Sequence, residues 1–525
     1  MPTNLLEREF STVADLIRHH AATQPDAIAL IDAAGRLDFA GLDRMMDQVA
    51  AGLQRDGVAA GQAVAICAAS SVAYAAVFLG ALRAGVAVAP LAPASTPESL
   101  VAMAADAGAR LVFLDAGVAA ALGDRQSAMP GPCIALDDNP EAGRPLSDWL
   151  APADAVPAPV EVQPDWPFNI IYSSGTTGAP KGIVQQHGMR WQHVQRAGAF
   201  GYAPGTVTLI STPLYSNTTL VSFFPAIAQG GAVVLMPKFE VETFLALSER
   251  HRVTHTMLVP VQYSRLLASP AFDRHDLSSY QIKFCTSAPF SAGLKKQVLE
   301  RWPGGLVEFY GMTEGGGTCM LIAHAFPDKL HTVGQPAPGH DIRLIDDDGN
   351  EVPVGEIGEV VGHSGATMRG YHNQPGKTAE AEWWSPDGRR FIRTGDVGRF
   401  DADGFLTLMD RKKDMIISGG FNIYPSDLEA VVHAHPAVAD VAVVGVPSEA
   451  WGETPVAYVV CRPGAGAAAE DIRAWANAQL GKTQRLAAVV LVDQLPRSAI
   501  GKVLKRELRD AYLAAVEAGS TPSLP

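Results

Sequence analysis

The feature that most constrains this chain is a short apolar run that ends in a loop of glycines and hydroxyl residues. Residues 168–171 predict a buried strand, and residues 172–182 follow as Tyr-Ser-Ser-Gly-Thr-Thr-Gly-Ala-Pro-Lys-Gly. Glycines let backbone amides approach a ligand, successive inward amides form an anion-binding nest, and Lys181 adds a positive charge. The spacing differs from that of a Walker A loop. The segment therefore predicts a polyphosphate site, with a flexible surface turn as the alternative.

Apolar segments on both sides of this loop alternate between helical and strand patterns. The predicted helices are 12–20, 72–84 and 241–250, and the predicted strands are 63–67, 87–90, 111–114, 207–211 and 232–236. This alternation predicts α/β layers with a largely parallel sheet. Residues 151–167, rich in proline, alanine and acids, predict a linker into the phosphate loop. From about residue 340 short strands predict a small β unit, and after Asp410 mixed α and β patterns return.

Composition narrows the class of protein. The formal net charge of −14 over 525 residues argues against a generic nucleic-acid binder. The five cysteines show no CxxC spacing, and the histidines show no zinc-ligand spacing, so we expect a reduced cytoplasmic protein without a structural metal. The first ten residues lack the apolar core of a signal peptide. Residues 72–91 are interrupted by Arg83 and predict a buried helix and strand rather than a membrane span.

Four further clusters carry groups suited to a nucleotide. In residues 308–314, Tyr310 can stack on a base, Thr313 can donate to a phosphate and Glu314 can hold Mg²⁺ through oxygen. The other three clusters are turns, at 393–396, at 410–414 followed by 418–420, and at 496–502. Taken singly, each of these turns is typical of an ordinary solvated surface.

Together and in this order, the five segments resemble the adenylate-forming superfamily of acyl-CoA synthetases, NRPS adenylation domains and luciferases. The resemblance covers nearly the whole chain, and the loop Ser173–Lys181 matches the AMP-binding signature at every position. It implies an α/β fold with a large N-terminal domain, residues 1–410, of two α/β subdomains plus a small β-barrel. A small, mobile α+β C-terminal domain, residues 411–525, would follow.

The resemblance also implies a two-step reaction. A carboxylate attacks the α-phosphate of Mg-ATP to give acyl-AMP and pyrophosphate, and a thiol such as that of CoA then displaces AMP to give a thioester. Both steps depend on positioning and on charge stabilisation. ATP, Mg²⁺ and CoA are therefore the expected cofactors and cosubstrates, and the expected protein is a cytoplasmic monomer or homodimer without stable membrane insertion.

Roles for individual residues follow from the same resemblance. The residues expected to bind ATP or AMP are Ser173, Ser174, Gly175, Thr176, Thr177, Gly178, Lys181, Ser287, Ala288, Pro289, Glu308, Tyr310, Gly311, Met312, Thr313, Asp396 and Arg411. Lys181 and Thr313 are also expected to be catalytic, together with the magnesium ligand Glu314 and with Lys502, which bridges the carboxylate and the α-phosphate. Lys413 is the expected hinge of a domain alternation. The expected CoA contacts are Gly419, Gly420, Trp451 and Arg485.

The acid is expected to occupy a pocket lined by Tyr215, Ser216, Asn217 and the glycines at 315–317. Three missing side chains in a row predict a deep tunnel, and hence a bulky acid; backbone packing is the alternative reason for the glycines. The polar residues 216–218 can hydrogen-bond ring hydroxyls, which favours an arylpropenoic acid such as a hydroxycinnamate over a medium- or long-chain fatty acid. Ser216 stands where the superfamily often has histidine. The sequence therefore does not establish whether this pocket is gated as it is in the superfamily.

Three functions remain open on the sequence. The first is a stand-alone acid–CoA ligase (AMP-forming). The second is an acyl-AMP ligase that loads a separate carrier protein. The third is a catalytically inactive nucleotide-binding or regulatory protein, which the joint presence of Lys181, Glu314, Asp396 and Lys502 disfavours.

Overall fold

A computed structural model describes residues 5–173, 181–412, 414–418, 421–448, 451–481, 484–498 and 501–517. Within them the helices are α1 (Val13–Thr23), α2 (Phe39–Arg55), α3 (Val72–Arg83), α4 (Pro97–Asp106), α5 (Ala116–Leu122), α6 (Leu146–Trp149), α7 (His187–Arg196), α8 (Asn217–Ala228), α9 (Val241–Arg250), α10 (Pro260–Ala268), α11 (Ala292–Arg301), α12 (Pro375–Glu380), α13 (Pro425–His433), α14 (Ala469–Asn477) and α15 (Lys505–Glu517).

The strands of the described chain are β1 (Ile28–Ile31), β2 (Arg36–Asp38), β3 (Ala63–Cys67), β4 (Ala87–Pro90), β5 (Ala109–Leu114), β6 (Cys133–Ala135), β7 (Arg144–Pro145), β8 (Pro167–Ser173), β9 (Lys181–Gln186), β10 (Val207–Ile210), β11 (Ala232–Leu235), β12 (His255–Leu258), β13 (Ile282–Cys285), β14 (Gly305–Tyr310), β15 (Cys319–Ile322), β16 (Gln335–Pro336), β17 (Asp341–Ile345), β18 (Gly358–His363), β19 (Gly370–Tyr371), β20 (Glu382–Trp384), β21 (Arg390–Phe400), β22 (Leu406–Arg411), β23 (Ile416–Ser418), β24 (Phe421–Ile423), β25 (Val438–Ser448), β26 (Gly452–Cys461) and β27 (Ala488–Leu491).

The chain divides into two compact units. The first comprises Met1–Ile342 and Gly362–Ile392, and the second comprises Arg343–Val361 and Arg393–Pro525. The boundaries fall inside β17, β18 and β21, which belong to a five-stranded sheet in the described chain, ordered β17–β18–β21–β20 with β22 paired to β21. This sheet is the small β unit that the sequence predicts from about residue 340.

The first unit contains a nine-stranded sheet, counted over the described residues, in the order β16–β15–β14–β13–β12–β10–β11–β1–β2. The strands from β14 to β1 in this order are parallel, and the outer pairs are antiparallel. Leu209 lies opposite Val234 on one neighbour and Thr256 on the other. The predicted strands at 207–211 and 232–236 are confirmed, as is the parallel character of the sheet.

A second sheet of the same unit explains the apolar stretch at residues 72–91. Its eight described strands have the order β19–β9–β8–β4–β3–β5–β6–β7. Strands β3 and β4 are buried at every position, as expected of parallel strands that are covered on both faces. The side chain of Ser71 accepts a hydrogen bond from the backbone N–H of Tyr74 and so begins α3. The predicted buried helix and strand are confirmed.

Strands β8 and β9 form an antiparallel hairpin at the edge of the parallel part of this sheet. Ser173, the last residue of β8, is the register partner of Lys181, the first residue of β9. Short strand β19 pairs with the outer side of β9, with Tyr371 opposite Ile183. The phosphate-loop segment is therefore held at both ends by paired strands, and β19 runs beside its lysine.

The second unit has its own core around a five-stranded sheet of the described residues, ordered β24–β23–β26–β25 with β27 paired to β26. Strands β25 and β26 are antiparallel over Val438–Cys461, and β27 runs parallel to β26. Leu428 of α13 and Ile472 of α14 are fully buried against this sheet. Among the described residues of the whole chain, no helix combines the length and the apolar character needed to cross a bilayer.

Candidate active site

The phosphate-binding prediction centres on the loop between β8 and β9. Ser174, Gly175, Thr176, Thr177 and Gly178 lie outside the described residues, and the structure describes the strand position of Ser173 but not its side chain. Lys181 is half-buried at the start of β9. Its ammonium lies 5.0 Å from the centroid of the Tyr371 ring. An ammonium over the face of an aromatic ring is attracted by the negative face of the π system.

The same tyrosine contacts the expected magnesium ligand. The Tyr371 hydroxyl donates a 2.9 Å hydrogen bond to Glu314 Oε1. Burial, followed by the negative charge of Glu314, raises the pKa of Tyr371, so the phenol stays protonated and acts as a donor. The backbone around Glu314 is also fixed, because Met368 N–H donates to its carbonyl at 2.8 Å. Tyr371 thus joins Lys181 and Glu314, which the sequence places far apart.

Sequence reasoning missed Tyr371. It is separated from Glu314 by 57 residues, and no local pattern marks it as functional. Only the pairing of β19 with β9 brings its ring beside Lys181.

The donor set around Glu314 fits a magnesium ion held mainly by phosphate. Glu314 is half-buried, and its Oε1 accepts one hydrogen bond. Among the described residues, no group of three or more His, Cys, Asp or Glu side chains could form an all-protein metal cage. Mg²⁺ in nucleotide enzymes is typically bound by one or two carboxylates together with phosphate oxygens and water. A single carboxylate beside a phosphate loop is compatible with that mode of binding.

Strand β14 belongs to the same unit and carries part of the expected adenine-binding segment. Within this segment, the side chain of Glu308 is buried in the protein. Glu308 is 4% exposed, and its carboxylate lies 2.5 Å from the ammonium of Lys295 on α11. Burial raises the pKa of Glu308 to about 7 despite the lysine. Lys295 also donates to the carbonyls of Leu330 and Thr332, at 2.8 and 2.9 Å. Glu308 is therefore occupied in an internal ion pair, and only its backbone is available to a nucleotide.

Ser287, expected beside the adenine, has an unusual backbone. Its φ is +81°, a region that non-glycine residues rarely adopt and that costs on the order of 1 kcal/mol. Its hydroxyl lies 2.5 Å from the hydroxyl of Thr218 on α8. The neighbouring Thr286 hydroxyl donates to the Phe309 carbonyl at 2.8 Å. These contacts hold the 287–289 segment between α8 and β14; Ala288 is half-buried and Pro289 is exposed.

Helix α8 begins in the expected acid pocket. Ser216 is its N-cap residue, and Asn217 is its first residue. Tyr215 and Asn217 are half-buried, whereas Ser216 is buried. Asn217 Oδ1 accepts from Gln185 Nε2 at 3.3 Å, and the same Gln185 nitrogen donates to the Thr313 carbonyl at 2.6 Å. The start of α8 is thereby tied to the backbone that precedes Glu314.

The interpretation of the glycines 315–317 as an open tunnel is wrong. Gly315 and Gly316 have φ values of +72° and +82°, which disfavour other residues. A Cβ on Gly315 would overlap the Ala366 carbonyl, one on Gly316 would lie 2.7 Å from the Gly362 carbonyl oxygen, and one on Gly317 would overlap Ile342 Cδ1. The missing side chains make room for neighbouring protein rather than for an acid. That the backbone of these residues lines the acid pocket stays a prediction.

The expected ribose contacts lie in the second unit. Asp396 on β21 and Arg411 on β22 are register partners. Their side chains form an ion pair in which Arg411 Nε lies 3.1 Å from Asp396 Oδ1. The Asp396 side chain is 14% exposed, so its carboxylate is held in a fixed orientation near the surface. A fixed carboxylate of this kind can accept hydrogen bonds from vicinal hydroxyls.

Lys502 is half-buried on a braced turn of the second unit. Ser498 N–H donates to the Lys502 carbonyl at 2.8 Å, and Lys502 N–H donates to Ser498 Oγ at 3.2 Å. Arg497 holds the turn from the other side, donating to the Gly501 carbonyl at 2.7 Å and to Asp440 at 2.6 Å. These contacts fix the backbone of Ser498, Gly501 and Lys502, from which the lysine side chain extends.

A cluster of charged residues next to this turn was not predicted. The ammonium of Lys505 lies 2.9 Å from Glu429 and 3.8 Å from Asp410, the residue before Arg411. Asp410 also accepts from the backbone N–H of Ser426 at 3.0 Å. Burial raises the pKa values of Asp410 and Glu429, and the two carboxylates raise the pKa of Lys505 in spite of its burial. The segment that carries Lys502 is thus connected, through Lys505 and Asp410, to the strand that carries Arg411.

The remaining predicted residues concern the thiol and the hinge. Trp451 is 40% exposed, and Arg485 is exposed. Lys413, Gly419 and Gly420 lie outside the described residues.

Two family profiles match the chain. One, described as AMP-binding enzyme, matches residues 17–372. The other, described as AMP-binding enzyme C-terminal domain, matches residues 427–502. The first profile alone spans more than half of the chain.

Characterised proteins are similar to the chain over nearly its full length. The fatty acid–[acyl-carrier-protein] ligase ScoC of Streptomyces coeruleorubidus is 30% identical over 96% of this chain and 97% of its own length. A feruloyl-CoA synthase of an Amycolatopsis species is 33% identical over 94% and 97%, respectively. The structure of the amide bond synthetase McbA from Marinactinospora thermotolerans matches with a TM-score of 0.84 at 30% identity, over 95% of this chain and 99% of McbA.

Proposed function

The chain belongs to the AMP-binding enzyme family within the adenylate-forming superfamily, and we propose that it is an AMP-forming acid–CoA ligase for an aromatic acid. The observation that carries this proposal is the Lys181–Tyr371–Glu314 arrangement beside the phosphate loop. It offers a cation for phosphate oxygens and a carboxylate for a divalent cation at the same edge of the sheet. Binding of a metal-complexed triphosphate requires both.

In the adenylation step, residues of the first unit hold the triphosphate. The loop Ser173–Lys181 binds the β- and γ-phosphates, and Thr313 donates to the α-phosphate. Glu314 would hold the magnesium ion, and Tyr371 orients its carboxylate. Bound Mg²⁺ would neutralise charge on the phosphate oxygens.

The acid and the nucleotide then react at the α-phosphate. A carboxylate oxygen of the acid attacks the α-phosphorus, the bond to the β-phosphate oxygen breaks, and pyrophosphate leaves with the electron pair. The ammonium of Lys502 neutralises charge where the two anions meet. Asp396 and Arg411 hold the ribose, so that the reacting groups stay aligned.

In the second step a CoA thiolate attacks the acyl carbon, and AMP leaves. We assign the domains as 1–410 and 411–525, with rotation about Lys413 exchanging Lys502 for the segment of Gly419 and Gly420. Trp451 and Arg485 contact CoA; the exposure of both side chains supports this role.

The preference for an aromatic acid rests on similarity to the feruloyl-CoA synthase and on the polar start of α8. Similarity to ScoC favours a second candidate, a ligase that transfers a fatty acid to a carrier protein. The two candidates differ in both acid and acceptor, so one set of assays separates them.

The test uses purified protein with ATP and Mg²⁺ and measures pyrophosphate release over ferulate, coumarate, benzoate and a series of fatty acids. The proposal expects acid-dependent pyrophosphate release with an aromatic acid, and AMP and thioester formation when CoA is added. Pyrophosphate release with fatty acids, and acyl transfer only to a phosphopantetheinylated carrier, would establish the second candidate instead. No pyrophosphate release with any acid would overturn both.

A further inference from the structure

Asp106, the last residue of α4, contacts segments on both sides of the strand that carries Lys181. Its Oδ2 accepts a 2.7 Å hydrogen bond from the Tyr172 hydroxyl on β8. Its Oδ1 and its backbone carbonyl accept from Asn373 Nδ2, at 3.2 and 3.3 Å. Asn373 lies in the turn that follows β19, two residues after Tyr371. Because the sheet order is β19–β9–β8, one residue connects the two segments that flank β9.

The ring of Tyr172 packs on the backbone next to Lys181. Tyr172 is the register partner of Gly182 in the β8–β9 hairpin, and the next pair is Ser173 with Lys181. A Cβ on Gly182 would lie 3.1 Å from two ring carbons of Tyr172, so the ring is in close contact with this glycine. Burial and the hydrogen bond to Asp106 raise the pKa of Tyr172, and the phenol therefore stays protonated as a donor.

The amide of Asn373 holds the turn that follows Tyr371. The φ of Asn373 is +53°, in the left-handed region that asparagine adopts more readily than most residues. The backbone N–H of His372 donates to the Gly182 carbonyl at 2.6 Å, which ties the turn to β9. A shift of this turn would move the Tyr371 ring, whose centroid lies 5.0 Å from the ammonium of Lys181.

We propose that Asp106 is a positioning residue for nucleotide binding, which holds Tyr172 and Asn373 and thereby fixes Lys181 relative to Tyr371. This inference rests on the proposed function, in which Lys181 binds phosphate. Donors that are already in place bind a ligand more tightly than donors that must be ordered on binding. Loss of Asp106 should therefore weaken Mg-ATP, whereas the residues assigned to the acid lie on other elements and should be unaffected.

The test measures the Kd of Mg-ATP without acid, by calorimetry on the full chain, and the KM values for ATP and acid in pyrophosphate release. Asp106→Ala should raise the Kd and the KM for ATP about tenfold and leave the KM for the acid within about twofold. A merely structural Asp106 would lower the melting temperature and the active fraction and leave the Kd and both KM values unchanged. That result in folded Asp106→Ala would overturn the inference. Glu98→Ala, on the same helix with a side chain that is 62% exposed, is the matched control.

A swapped pair tests whether the contact itself matters. Asn373→Asp places two carboxylates opposite each other and should weaken Mg-ATP about as much as Asp106→Ala. In the double variant Asp106→Asn/Asn373→Asp, the new amide can donate to the new carboxylate, and its oxygen can still accept from Tyr172. The Kd should then return to within about threefold of the wild type. A double variant as weak as Asn373→Asp would overturn the inference.

Two milder variants keep the inference testable if Asp106→Ala does not fold. Tyr172→Phe keeps the ring, and Asn373→Gly keeps the positive φ, while each removes one contact to Asp106. Each should weaken Mg-ATP about threefold, and unchanged binding in both would overturn the inference. Wild-type protein that binds Mg-ATP but releases no pyrophosphate with any acid would overturn the ligase proposal alone. Wild-type protein that does not bind Mg-ATP would overturn both.

Discussion

Tyr371 and Glu314 are joined by a 2.9 Å hydrogen bond from the phenol to Oε1, and the ring of the same tyrosine lies 5.0 Å from the ammonium of Lys181. A single side chain therefore orients the carboxylate and the lysine that we assign to metal and phosphate. The hydroxyl and the ring have separate functions, and substitution can separate them.

Tyr371→Phe should weaken the use of Mg²⁺ more than the binding of the acid. The variant keeps the ring beside Lys181 and removes the hydrogen bond to Glu314. Hydrogen bonds to charged groups contribute about 1.5–3 kcal/mol, so we expect at least a tenfold loss in kcat/KM for ATP and a higher Mg²⁺ requirement. A magnesium titration of pyrophosphate release measures this, and an unchanged titration curve would refute the orienting role of the hydroxyl.

Lys502→Ala should lose adenylation and retain thioester formation from supplied acyl-AMP. The ammonium is needed only where the carboxylate and the α-phosphate meet, and loss of such a charge typically lowers the rate about 100-fold or more. The two half-reactions are assayed separately. Lys296→Ala, at an exposed lysine of α11 whose side chain is 68% exposed, is the matched control. Equal loss of both half-reactions would contradict the role assigned to Lys502.

Glu308→Gln should change how stability depends on pH. The folded-state pKa of Glu308 is raised from 4.5 to about 7, so the folded protein binds this proton more tightly than the unfolded chain. The resulting stabilisation is full below pH 4.5 and is lost as the pH rises through 7, by at most roughly 3 kcal/mol. Urea unfolding from pH 5 to 7.5 should show this decline in the wild type relative to Glu308→Gln. Parallel curves for the two proteins would show that Glu308 does not titrate in this range.

Gly317→Ala should destabilise the first unit through one identifiable clash. The added Cβ overlaps Ile342 Cδ1 and lies 2.9 Å from Gly362 Cα, and overpacking of this kind costs typically 1–3 kcal/mol. Ile342→Val removes the Cδ1 methyl, so the double variant should recover part of the loss. Gly293→Ala on α11, where a Cβ meets nothing within 4 Å, is the control. Thermal unfolding measures all four, and additive losses in the double variant would refute the clash as the cause.

Lys505→Met should destabilise the second unit by about 3–5 kcal/mol, because removal of one partner leaves buried carboxylates unpaired. The double variant Lys505→Met/Glu429→Gln should be less affected than the sum of the two single changes. Hydrogen exchange of α13 and α15 would report the local loss. A Lys505→Met protein with unchanged exchange in both helices would show that the cluster contributes nothing to stability.

The sequence predicts the layers of this fold well because buried parallel strands are continuous apolar runs. The strands at 63–67 and 87–90, with the helix between them, follow from such runs and are confirmed. The phosphate loop and the family follow from a dense local motif, and the family profiles support that resemblance. Local patterns of this kind need no knowledge of distant contacts.

Features that depend on distant partners could not be predicted. Arg190 lies between Met189 and Trp191, and a charged residue within a helix is typical of an exposed face. Its burial depends on Asn169 and Asn217, which belong to other elements and accept its hydrogen bonds. At glycines 315–317 the sequence predicts open space where the structure has close packing. A run without side chains suggests empty space, but sequence does not say where each Cβ would point.

The close packing at 315–317 has a consequence for redesign of the enzyme. A library that varies these three positions to change the acid will mostly yield misfolded protein, since every new side chain must displace neighbouring backbone or Ile342. Tyr215 and Asn217, which we also assign to the acid pocket, are half-buried. Engineering of acid choice should therefore begin at the start of α8.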